Sequence, residues 1–102
     1  MIAAVAAQRA EIAALCRRFQ VARLDLFGSA ARGTDFAPDR SDLDFLVEYQ
    51  AGYVPSLDEY LDLREALSLL GGRKVDLVMA SVLRNPFLRS AVERSRETIY
   101  GP

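Results

Sequence analysis

The chain has 102 residues, with 13 Lys and Arg against 14 Asp and Glu, a formal charge of −1 and no histidine. That length suffices for one domain, residues 1–102, with a core that needs no disulfide or structural metal, and the charge balance is not the footprint of a protein that grips nucleic acid alone, so no direct nucleic-acid binding is expected. No apolar run approaches a membrane span, the alanine-rich start lacks the basic residues of a signal peptide, and the one cysteine forms no internal disulfide, so a cytoplasmic chain is expected.

Helical spacing of Ile2, Val5, Ile12, Leu15, Cys16 and Phe19 predicts a first helix from Ile2 to Phe19, with Cys16 as a buried packing thiol. Val21 to Phe27 is short, apolar and stopped by Gly28, which reads as a strand ending in a turn, with Asp25 as an exposed or paired strand residue. Ser29 then opens a brief helical segment. A small residue and a hydroxyl at a helix start leave backbone N–H groups free for an anion, so Gly28 and Ser29 form a candidate phosphate seat. Thr34 to Ser41, with Pro38, is an irregular polar loop.

Leu43 to Glu48 alternates as a strand does and ends near Tyr49. Asp42 and Asp44 stand at its entry, two positions apart, which puts both on one face roughly 6.5–7 Å from each other. Like charges so held need a cation or a proton between them. Hard oxygen donors without imidazole or thiolate suit magnesium or manganese, and paired carboxylates behind a phosphate-binding turn suit two-metal attack on a nucleotide phosphate.

Gln50 to Pro55 is a loop. Ser56-Leu57-Asp58-Glu59 has the pattern of a capping box, opening a helix with Tyr60, Leu63, Leu67 and Leu70 inward and Gly71-Gly72 at its end. The strand from Lys74 to Met79 carries Asp76 in an otherwise apolar run, a candidate third carboxylate. Asn85-Pro86 starts a last helix that runs to about Glu97 with Phe87, Leu88, Ala91 and Val92 inward, and Ile99 and Tyr100 pack as a tail. The element order predicts an α/β (α+β) fold, a small sheet covered by helices.

Taken together, Phe27-Gly28-Ser29 with Ala31-Arg32-Gly33, then Ser41-Asp42-Leu43-Asp44-Phe45-Leu46-Val47, then Lys74-Val75-Asp76-Leu77-Val78 resemble the nucleotidyltransferase superfamily of DNA polymerase β. More narrowly they resemble the minimal nucleotidyltransferase antitoxins encoded beside HEPN-domain ribonuclease toxins. The resemblance implies a small mixed β-sheet in a polymerase β-like fold, ATP as substrate, Mg2+ as cofactor, a HEPN toxin as partner, and transfer of AMP to a tyrosine of that toxin. It further implies that Gly28 and Ser29 hold the nucleotide phosphates, that Asp42 and Asp44 bind the metal, and that Asp76 is a third ligand or the base. Arg32 contacts phosphate or makes a structural ion pair. The loop from Ser29 to Asp42 is longer than is usual in that family.

Each feature also has an ordinary structural reading: Gly28 as a plain turn, Asp42 and Asp44 as a solvated strand entry, Asp76 as a partner of Arg73 or Lys74, and Tyr53 and Tyr60 as packing residues. A P-loop is excluded because Thr34 stands where its lysine is required, and there is no G-x-G-x-x-G and no calcium-hand pattern. Two other functions compete with a toxin-directed adenylyltransferase: a non-catalytic antitoxin that acts by binding alone, and a transferase acting on a small molecule.

Overall fold

The computed structural model describes residues 3–28, 42–80 and 85–101. Ser29, Arg32 and the Thr34 to Ser41 loop lie outside the described residues.

Four strands form one mixed sheet in the order β3-β2-β1-β4. β1 (Val21–Phe27) is antiparallel both to β2 (Leu43–Tyr49) and to β4 (Glu97–Tyr100), and β2 is parallel to β3 (Val75–Met79). The parallel pair requires a crossover, which α3 (Leu57–Gly71) supplies. Its start is the expected capping box: the Ser56 hydroxyl accepts from the Glu59 N–H and the Glu59 carboxylate accepts from the Ser56 N–H, both at 3.1 Å. Gly72, left-handed at φ 67°, ends it.

The first helix differs from the sequence expectation. It is split into α1 (Ala3–Ala7) and α2 (Arg9–Arg18), with the break at Gln8. The Gln8 side-chain amide donates to the Leu70 carbonyl at 3.2 Å, so the break ties the first helical pair to the end of α3. α2 and α3 cover one face of the sheet. Ile12, Cys16, Leu63 and Leu67 meet Leu24, Leu26, Phe45, Val47 and Leu77 there in one buried cluster. Burial pushes the Cys16 thiol up to about 12, which fits a packing role.

The end of the chain is a second correction. α4 (Pro86–Ser95) stops before Glu97, and the expected tail is strand β4. Asn85 caps α4 by accepting from the Phe87 N–H at 2.9 Å. Val92 is buried as expected, but Phe87 is 85% exposed and does not reach the core. The expectations for the side chains of Leu88 and Ala91 lie outside what is described. β4 is an edge strand, and Arg9 reaches across to donate to the carbonyls of Thr98 and Ile99, both at 3.3 Å. Those carbonyls are thereby occupied and less open to pairing with another chain.

Candidate active site

The face of the sheet opposite α2 and α3 carries the carboxylates. Side chains alternate along a strand, so burial of Leu43, Phe45 and Val47 against the helices sends Asp44 and Leu46 the other way. The same alternation turns Asp76 away from buried Val75 and Leu77. The parallel register then sets Asp44 directly beside Asp76, and the antiparallel register sets Phe27 on its other side. Three segments far apart in sequence therefore meet at Asp44 because the strand pairing brings them there.

Gly28 closes this corner. Its backbone is left-handed at φ 75°, a conformation that side-chain-bearing residues rarely adopt. A Cβ at this position would lie 2.6 Å from the Asp44 carboxylate oxygen Oδ2. The glycine is required twice over, by the turn and by the carboxylate that packs on it.

The electrostatics of Asp44 follow from this crowding. Its carboxyl is raised from 3.8 to about 6, first by burial, then by the charge of Asp76 and a hydrogen bond shared with it, and last by the charge of Asp42. A carboxylate pushed up in this way by its neighbours gains from any cation that replaces the proton. Asp42 stands at the entry to β2, and its Oδ2 is 4.0 Å from the exposed Lys74 ammonium. Lys74 therefore pairs with Asp42, so of the two cations offered to Asp76 in the alternative reading, Arg73 or Lys74, this one is placed on the neighbouring carboxylate.

A metal would find only oxygen donors at this corner, the donor set suited to magnesium or manganese. Among the described residues, Asp44 and Asp76 form a facing pair, but no group of three or more candidate ligands converges on one point. The chemistry of the pair fits a divalent cation, with Asp42 at the strand entry as the next carboxylate.

Asp25 lies on this same face, two residues before Phe27, and it is fully buried. The sequence reading allowed it to be exposed or paired; it is paired. Arg23 Nε donates to its Oδ1 at 3.0 Å and Arg96 Nε donates to its Oδ2, while Arg23 also donates to the Thr98 hydroxyl at 3.0 Å. Arg96 was not singled out in the sequence, because its partner is 71 positions away. Tyr53 and Tyr60 are packing residues. The Tyr60 hydroxyl donates to the Leu77 carbonyl, and Tyr53 stacks on Tyr49 at 6.1 Å between ring centroids, at the end of β2 remote from Asp44.

The family model described as "Nucleotidyltransferase domain" matches residues 11–99. The protein adenylyltransferase MntA of Thermococcus cleftensis is 38% identical over 86 residues, covering 84% of this chain and 80% of the relative. A solved structure described as a minimal nucleotidyltransferase superposes with a TM-score of 0.73 at 38% identity, covering 90% of this chain and 89% of its own. More distant solved structures share the fold. One, a tri-AMPylated Shewanella oneidensis HEPN toxin in complex with its MNT antitoxin, gives a TM-score of 0.68 at 19% identity over 96% of this chain and 73% of that one. Another, a toxin-antitoxin with AMP-PNP, gives 0.71 at 23% identity over 92% and 73%. The glycine turn and the two carboxylate strands therefore stand within a family whose model covers almost the whole chain: the protein belongs to the nucleotidyltransferase domain family and, within it, to the minimal nucleotidyltransferases.

Proposed function

We propose that this chain is a Mg2+-dependent protein adenylyltransferase that transfers AMP from ATP to a hydroxyl, a tyrosine, of a cognate HEPN toxin. The observation that carries the reading is the in-register facing of Asp44 and Asp76 against Gly28 on the face of the sheet opposite α2 and α3. The T. cleftensis relative is named for this activity, and one structure of the same fold is a complex with an AMPylated toxin.

In this reading Gly28, Ser29 and Arg32 receive the triphosphate, and Asp42, Asp44 and Asp76 hold the magnesium. When bound, the metal neutralises the carboxylates and the charge that builds on the phosphate oxygens. The acceptor oxygen attacks the α-phosphorus of ATP, forming the new P–O bond as the bond to the bridging oxygen breaks, and pyrophosphate leaves. Asp76 is exposed and sits beside the reacting corner, which suits it to take the hydroxyl proton. No imidazole is available for that task, since the chain has no histidine.

The test is mass spectrometry of the toxin encoded beside this protein, after incubation with ATP and Mg2+, with an Asp42→Ala, Asp44→Ala double variant in parallel. The expected result is a gain of one or more AMP masses with the natural chain and none with the variant. A tight complex with no mass gain would replace transfer by neutralisation through binding. Neither gain nor complex would point to a small-molecule acceptor.

A further inference from the structure

The outer side of the helical layer, on the far side of the sheet from the carboxylates, is charged except for one apolar stretch. An apolar groove of about 490 Å³ runs between α2 and α3, floored by Ala14, Leu15, Leu69 and Leu70 and bordered by Glu11 and Arg18. Leu69 is 76% exposed in it. A leucine turned out on a helix whose other apolar side is already buried is costly to leave in water.

The charges say what covers it. Glu11, Ala14, Leu15 and Arg18 are spaced three, four and seven apart, one stripe of α2. Glu11 and Arg18 are both exposed and sit about 10.5 Å apart along the helix, with the small Ala14 midway. A second copy laid antiparallel across this stripe, on a two-fold axis at Ala14, sets Glu11 of each chain opposite Arg18 of the other. Such a surface is complementary to itself, the condition for a closed symmetric pair. Arg18 is already ordered over the Phe19 ring, 5.5 Å from its centroid, so less side-chain freedom is lost on pairing. The groove cannot seat an acceptor for the carboxylates, which lie beyond the sheet. Two copies joined here leave both carboxylate faces outward.

We infer that the α2–α3 face is a homodimer interface, with Leu69 as its apolar anchor and reciprocal Glu11–Arg18 pairs fixing its orientation. Four short helices make a contact at or below the small end of the stable class, roughly 1,200 Å², so the dimer forms and dissociates with concentration.

Sedimentation equilibrium over a dilution series, in low and high salt, tests this on the full chain. The natural protein is expected to fit a monomer–dimer equilibrium that weakens with salt. Glu11→Arg makes the stripe wholly basic and Arg18→Glu makes it wholly acidic, and each alone is expected to dissociate about tenfold more readily or worse. Mixed in equal amounts, these two variants complement one another and the dimer returns. The double variant Glu11→Arg, Arg18→Glu also pairs with itself. A monomeric natural chain at all concentrations overturns the inference, as do single variants that dimerise like the natural chain or a mixture that stays monomeric.

Discussion

Gly28 carries two demands, and separating them is the sharpest test of the site at the scale of one residue. An alanine here must hold a left-handed backbone, which costs about 1–2 kcal/mol, and its methyl must displace the Asp44 carboxylate. The backbone term acts on folding. The displacement acts on the carboxylate pair, because the nearest atom is the end of a side chain that can swing away. Gly28→Ala is therefore expected to lower the unfolding temperature by only about 4–15 °C, while AMP transfer falls about tenfold or more through misplaced groups. Thermal unfolding and an initial-rate assay on the same preparation check this. Equal losses in folded fraction and in rate would reduce Gly28 to an ordinary turn. The sequence held the elements of this corner, a glycine after a strand and aspartates two apart at another strand's entry, because both are local patterns. It did not show that Asp44 rests on Gly28 itself, since that contact depends on the pairing of β1 with β2.

Among the elements, β4 and α4 were the hardest to read, and Asp25 explains why. A charged residue inside β1 signals exposure or pairing, but its partner Arg96 lies 71 residues on, between α4 and β4. Short, polar Glu97-Thr98-Ile99-Tyr100 has little strand signal of its own, and it becomes a strand because Leu24, Asp25 and Leu26 offer it an edge. The break at Gln8 is similar: nothing in the alanine-rich run marks it, and the bond that Gln8 makes there goes to the Leu70 carbonyl, 62 positions away. By contrast, α3 was clear at both ends, because the Ser56–Glu59 box and Gly72 act within a few residues. The role of Asp25 gives a prediction at this scale. Asp25→Asn leaves the part-exposed Arg23 and Arg96 guanidiniums without their buried counter-charge, and losing charged hydrogen bonds of this kind costs about 1.5–3 kcal/mol. Urea unfolding is expected to show a midpoint lowered by that free energy divided by the slope, with the slope itself unchanged. A loss below about 1 kcal/mol would mean that backbone pairing alone holds β4 to the sheet.

At the level of the whole molecule, the two faces of the sheet divide the work. One is closed by α2 and α3 over the core, while the other buries Asp25 and Leu46 and carries, beside them, the half-buried Asp44 next to the exposed Asp76. The alternation of β2 placed its aspartates on one face, but not which face the helices cover. The cost of the pair was not readable, because it depends on the burial of Asp44 and on Asp76 lying beside it in the sheet. That cost couples folding to pH. Asp44 rises from 3.8 in the unfolded chain to about 6 in the folded one, so the folded state binds its proton more tightly. The resulting stability is fully present below the unfolded value and is lost as pH rises through about 6. Asp44→Asn does not titrate. Without metal, the variant is therefore expected to be more stable than the natural chain above about pH 6, with the difference shrinking toward about pH 4. Magnesium with ATP takes the place of the proton on the ionised pair, so its stabilisation of the natural chain grows as pH rises through the same range and is absent from the variant. Thermal unfolding from about pH 4 to about pH 8, with and without Mg2+ and ATP, reads both effects. Parallel curves for the two chains would mean that Asp44 carries no unusual charge cost. A magnesium effect retained in Asp44→Asn would move the cation away from this pair.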